Sequence, residues 1–349
     1  MPEFTGTYAW RALQPERAAA TVAAVNLDMV GESQADCGST FLLEQAPHFL
    51  GSFADELLAR IRSAAQDWVR DFSGAGHYSL ARLAEVPYSG GSDHALWLDP
   101  TAGVPCPMLI QWPDRYYHSD LDTPERCDPD SLALAARTAA TYAGFLAALG
   151  PRQLPWLIDL VARGSRRRLL AALDKPEPAS ACRAERERGQ RALASVHRLT
   201  RGLPAARGLP AARALAAALA AHLPHAVEAF EGFWEGEIEP ALAGAAAPAV
   251  IAPGRVPRPR GAALPPPMRW LAVGWEPLPE RDRTRLLALE AAIPGGSTAL
   301  DLAWFACDGE RGVGEIATML AREGWPVAAD QLEEWFDLAA TLGFTAWRD

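Results

Sequence analysis

The chain has 349 residues, 49% of them hydrophobic and 22% charged, enough for two or three ordinary globular domains with a sizeable core. Its net charge of −10 argues against non-specific nucleic-acid binding, which needs clustered Lys and Arg, and no window approaches the roughly 18 uninterrupted apolar residues of a membrane span. The first residues, MPEFTGTYAWRALQPER, lack the basic start and apolar stretch of a signal peptide, so the expectation is a cytoplasmic, non-membrane protein. Five cysteines without a CxxC pair point to reduced, mostly structural thiols.

In chain order, an apolar run at 23–30 predicts a strand that ends in VNLDMVGES and delivers Asp28 to a loop. A second strand is predicted at 40–45, an amphipathic helix at 49–69, and a strand at 104–112 after the turn-rich VPYSGGSDH. Asp-Pro-Asp-Ser then opens a predicted helix over 128–149. This alternation predicts an α/β domain over 1–150, a mixed sheet flanked by helices. A helical region follows over 151–244, with a near-repeat at 201–213 too short for a solenoid. Residues 163–201 carry eleven Arg or Lys against four Asp or Glu, read as a solvated helical face. A Pro/Gly/Ala-rich tether is predicted over 245–268. The last unit, 269–349, shows three short helical patterns and a strand-like end from 297 onward, the order of a winged helix. Residues 290–349 hold eleven acidic residues against three arginines, so packing on protein is expected rather than on phosphate.

Three stretches of the α/β part could carry chemistry: PEFTGT (2–7), NLDMVGE (26–32), and SGGSDHALW (89–97) followed by YYHSDLDTPERCD (116–128). Singly each is weak, because an Asp after a strand is ordinarily a cap, a loop His ordinarily a hydrogen-bonding residue and a terminal Glu ordinarily solvated.

Together, and in this order, they resemble the co-catalytic zinc aminopeptidase family, which includes bacterial leucyl aminopeptidases and glutamate carboxypeptidases. The shared pattern is Glu3 before Gly6-Thr7, Leu27-Asp28-Met29, Gly91-Ser92-Asp93-His94, and Tyr117-His118-Ser119 before Asp122-Thr123. The version found here looks most similar to a bacterial aminopeptidase-like subgroup with a C-terminal winged-helix-like module. The resemblance implies a zinc-dependent exopeptidase using one or two zinc ions and a metal-activated water on a peptide or amino-acyl substrate. It implies Asp28 and His118 as zinc ligands and Glu3 as either ligand or general base; the family usually has two adjacent glutamates, whereas this chain has Pro2-Glu3. Tyr88 would stand near an oxyanion-stabilising tyrosine, or else pack. Ser92 and Asp93 would shape the substrate loop, His94 would hydrogen-bond, and Asp120 and Asp122 would orient the His118 imidazole or cap the next turn.

The family also supplies a His and a bridging Asp upstream of its glutamates, where this chain has nothing. The peptidase-like domain is therefore expected to be N-terminally incomplete: the start assigned within a longer reading frame, the missing half a separate chain, or a scaffold that has lost catalysis. The competing reading is a non-catalytic binding or regulatory protein. Homo-oligomerisation and a complementing N-terminal segment stay open as partners.

Overall fold

The computed structural model describes residues 3–200, 210–245, 252–260 and 278–348. Two short helices, α1 (Thr5–Leu13) and α2 (Pro15–Ala20), precede β1 (Asn26–Asp28), α3 (Gln34–Cys37), β2 (Thr40–Glu44) and α4 (Phe53–Ala65). There follow a hairpin of β3 (Trp68–Arg70) and β4 (His77–Ser79), then β5 (Leu83–Val86), α5 (His94–Leu98), β6 (Met108–Trp112) and α6 (Pro129–Ala147). The sheet order is β1-β6-β2-β5, with β1 parallel to β6, β2 antiparallel to β6, and β2 parallel to β5. It is the mixed sheet expected, although its strands are shorter than the apolar runs suggest and β3, β4 and β5 carry too few residues to register in the sequence pattern.

Side-chain alternation assigns the two faces of this sheet different work. Phe41, Leu43 and Leu109 turn to one face and join a core with α4, α6 and the following helices. Leu42, Glu44, Met108, Ile110 and Trp112 turn to the other, where a cavity opens. The expectation of a sheet flanked by helices is thus met on the face that builds the core. The start of α4 is fixed by Ser52, whose hydroxyl accepts from the Ala54 amide at 3.2 Å. Arg62, 4% exposed, fastens this helix to the sheet by donating to the Phe41 and Ala84 carbonyls at 2.8 and 2.6 Å. Burial lowers its pKa to about 10, which leaves it a cation at neutral pH. Helix α6 starts at Asp128, which accepts from the Ser131 amide at 2.8 Å, as its Asp-Pro-Asp-Ser opening predicts.

Beyond residue 150 the chain forms α7 (Leu154–Ala172), α8 (Pro178–Ser195), α9 (Pro210–Phe233), a π turn (Trp234–Ile238) and α10 (Glu239–Ala241). The near-repeat at 201–213 falls mostly outside the described residues. The basic run is in part the solvated face expected, with Arg163, Arg167, Lys175, Arg183 and Arg191 exposed, but two of its arginines turn inward. Arg188 is 3% exposed and lies 3.6 Å from Asp55, while Arg168 pairs with Glu56 and, at 3.1 Å, with Glu185. Asp55 and Glu56 are buried on α4, and a buried carboxylate draws a cation inward.

The C-terminal unit contains α11 (Glu280–Ala292), α12 (Gly296–Ala306), α13 (Val313–Arg322) and α14 (Ala329–Thr341), and closes with β8 (Thr345–Trp347). Its strand pairs antiparallel with β7 (Pro257–Pro259), which lies inside the span read as a tether; the remainder of that span falls largely outside the described residues. Nor does this unit stand apart. Phe305, Trp304 and Leu300 share one hydrophobic core with Phe49, Tyr88, Leu98 and Cys106 of the α/β part. Among the described residues, no single helix is long and apolar enough to cross a bilayer, and the five cysteines are unpaired.

Candidate active-site cavity

Glu44, the last residue of β2, organises the site although the sequence reading passed it over. Its side chain is 2% exposed and accepts from the Ser89 and Gly90 amides at 2.9 and 3.1 Å, from the Ser89 hydroxyl, and from His94 Nε2 at 2.8 Å. One buried carboxylate therefore holds the whole SGGSDH loop, each donor offsetting part of its desolvation. Gly90 and Gly91 allow the loop to bend there, with φ of 74° and 86°. The only signal for Glu44 was its place as the first charge after an apolar strand.

The rest of the loop ties distant segments together. Ser92, 3% exposed, accepts from Asn26 Nδ2 at 2.7 Å, and Asp93 accepts from the Phe4 amide at 2.6 Å. Neither side chain lines the cavity, so their expected part in a substrate loop becomes one of anchoring β1 and the segment carrying Glu3. Ser89, Gly90 and Gly91 form the lining instead.

The cavity, about 380 Å³, is lined by Glu3, Asp28, His118 and Asp122 together with apolar residues that include Leu42, Ile110 and Trp112. Residues as much as 119 positions apart in sequence thus line one cavity. Backbone strain marks the same places. Among the described residues, positive φ outside glycine occurs at Phe4 (59°), Met29 (45°) and His118 (53°). These are the neighbour of Glu3, the neighbour of Asp28 and the candidate histidine itself. Each such residue costs about 1–2 kcal/mol, and strain of this kind concentrates at functional sites. The exposed His118 ring stacks on Tyr117 with centroids 3.7 Å apart, and Tyr117 meets Trp112 edge-on at 5.5 Å.

Glu32, four residues beyond Asp28, is a further acidic group the sequence reading did not single out. Burial pushes its pKa up, partly offset by a backbone hydrogen bond, and the charges of Asp114, Asp122 and Asp28 push it further. Glu32 Oε2 and Asp114 Oδ2 are buried without a hydrogen-bond partner.

Two expected residues fall elsewhere. Tyr88 is 1% exposed and packs against His94 and Phe305, at ring separations of 5.3 and 6.0 Å. Burial raises its pKa well above the ordinary phenol, and its hydroxyl lies beneath Gly90 rather than in the cavity. Packing is the contact the structure gives it. Asp120 is exposed and outside the lining, whereas Asp122 lines the cavity.

Carboxylate oxygens and an imidazole are the donors zinc prefers. Their placement, however, does not fit a formed centre: among the described residues no three His, Cys, Asp or Glu side chains come together closely enough to hold one ion. The expected one- or two-zinc cluster is not assembled by Glu3, Asp28 and His118, which share a cavity without sharing a coordination point.

Residues 5–143 match Peptidase family M28, a span that includes Asp28, the SGGSDH loop and His118 and begins just after Glu3. No curated protein and no solved structure matches the chain.

Proposed function

We propose, from the match of residues 5–143 to a peptidase family, that the cavity is the substrate site of a metal-dependent exopeptidase of aminopeptidase type. The observation that carries this reading is the convergence of Glu3, Asp28 and His118 on one cavity, each at or beside a residue with positive φ. Peptidases of this family are typically zinc-dependent. Among the described residues the donors present do not close around an ion.

The chain's own groups supply a recognition chemistry. Glu3, Asp28 and Asp122 give the cavity lining a negative potential suited to the α-ammonium of a peptide. Leu42, Ile110 and Trp112 offer an apolar surface to its first side chain, and a volume of this size is within the usual range for a small-ligand pocket. In this reading Glu3, a cavity-lining carboxylate, takes up or returns a proton on the reacting amide by general acid–base catalysis.

We further infer that the C-terminal unit is winged-helix-like, with β7 and β8 as its wing. Its acidic charge disfavours DNA, and it supports the site loop: Phe305 packs on Tyr88, and the Thr298 hydroxyl donates to the Ser89 carbonyl at 3.0 Å.

Hydrolysis of aminoacyl-coumarin amides, with and without added zinc, tests the function. The expected result is zinc-dependent release that falls at least a hundredfold in Asp28→Ala and in His118→Ala, with N-acetylated substrates refused. The second reading, a non-catalytic binding scaffold, is favoured by the absence of a grouped donor set among the described residues. It predicts no turnover with zinc and only small stability changes in both variants.

A further inference from the structure

The β3–β4 hairpin carries a dense apolar surface that the cavity does not use. Trp68 is 51% exposed, Val69 36%, Phe72 110%, Tyr78 49% and Leu80 73%. The two strands form a sheet of their own, with Trp68 opposite Ser79, Val69 opposite Tyr78 and Arg70 opposite His77. A lone two-stranded ribbon is marginally stable in water and ordinarily needs a covering surface.

The tip is nonetheless built rather than loose. Asp71 accepts from the Ser73 hydroxyl at 2.7 Å and from the Gly76 amide at 3.0 Å, and the Gly74 amide donates to the Asp71 carbonyl at 3.0 Å. These bonds hold Phe72 outward at the end of a preorganised arm, and preorganisation lowers the cost of association.

We propose that this arm is a dimerisation surface, packing against the same arm of a second copy of the chain about a two-fold axis. Area supports this occupant. With an aromatic side chain burying roughly 150–250 Å², Val69 and Tyr78 on one face of the ribbon and Phe72 and Leu80 at its end expose about 500 Å² per arm. A pair of arms then buries about 1,000 Å², the threshold of a specific interface. A two-fold contact asks each copy to present the same patch, which an apolar arm with a free strand edge does without a complementary partner. Charge argues against an anionic membrane, because residues 67–81 contain two Asp and one Arg where a surface-binding segment would be basic.

Sedimentation velocity between about 1 and 100 µM tests the proposal, comparing wild type with the double variant Phe72→Asp, Leu80→Asp. Both positions are exposed and outside the cavity, so the fold should be kept, as circular dichroism would show. The wild type is expected to sediment as a dimer, and the variant to dissociate with a constant at least tenfold higher. A wild type that stays monomeric across this range, or a variant that dimerises equally well, overturns the proposal. So does a monomeric wild type that co-sediments with phosphatidylserine vesicles, which would assign the arm to a lipid surface. None of these outcomes depends on whether the cavity hydrolyses peptides.

Discussion

Glu32 and Glu44 differ in how the fold accommodates a carboxylate: one Glu32 oxygen is buried without a hydrogen-bond partner, whereas the Glu44 oxygens are filled with donors. Glu32 is half-buried, and desolvation followed by the charges of Asp114, Asp122 and Asp28 raises its pKa, so the fold disfavours its ionised form. The stability cost is absent below the unfolded-state value of 4.5 and sets in as pH rises through the folded value. Glu32→Gln is accordingly expected to raise the melting temperature by a few degrees near neutral pH in chelator-treated buffer, with the gain vanishing in acid. Glu44 differs in its partners: it is a buried carboxylate with its acceptor sites filled by the loop. Glu44→Ala strands the Ser89 and Gly90 amides and the His94 ring, at about 3 kcal/mol by urea denaturation. If the proposed activity holds, this variant also loses turnover, because Ser89–Gly91 line the cavity.

Among the elements, α8 illustrates how close approach constrains a sequence. Gly189 faces α7 and α9, and a Cβ there would stand 2.5 Å from Phe230 Cζ and 3.0 Å from Ser165 Cβ. Phe230 is fully buried and has little room to yield. Gly189→Ala is expected to destabilise the helical region by about 1–3 kcal/mol, measurable as a lower denaturation midpoint. A helix-propensity argument alone predicts the opposite sign, since Ala is the better helix former. The arginines of the same helix make a related point: Arg188 is drawn inward by Asp55, a partner 133 positions earlier, and the charge run by itself carries no trace of it.

For the whole molecule, the junction of the three units rests on His48. Its Nδ1 lies 2.9 Å from Glu323 of the C-terminal unit and its Nε2 3.2 Å from Glu185 of the helical region. Burial opposes its charge, but the hydrogen bonds to Glu185 and Glu323 prevail and raise its pKa to about 9. Burial likewise opposes the charge of Glu185, yet His48, Arg188 and Arg168 hold that carboxyl down to about 2. A histidine raised from 6.5 to about 9 contributes stability that is complete below 6.5 and is lost as pH rises through 9. Asp301, buried in the shared core near Asp99, acts in the same direction, its pKa raised well above the ordinary carboxyl by burial and then by the Asp99 charge. The melting temperature is therefore expected to fall between pH 6.5 and 9, and His48→Gln to flatten that slope. A slope unchanged in the variant would separate His48 from the junction.

By itself the sequence determined the local elements and the identity of the groups that meet in the cavity. Short apolar runs gave β2 and β6, the Asp-Pro-Asp-Ser opening gave α6, and the ordered motifs and the resemblance they carry singled out Glu3, Asp28, His118 and Asp122, because apolar runs, caps and motif residues are encoded over a few neighbouring positions. Tertiary structure decided what depends on distant partners. It sent Tyr88 into the core, turned Ser92 and Asp93 into anchors, drew part of the tether into a strand, and joined the C-terminal unit to the α/β core. It also made Glu44 the support of the site loop and kept the donor side chains short of a shared coordination point. Burial and charge pairing are set by what packs across the fold, and a linear pattern records only which side chains are available to do so.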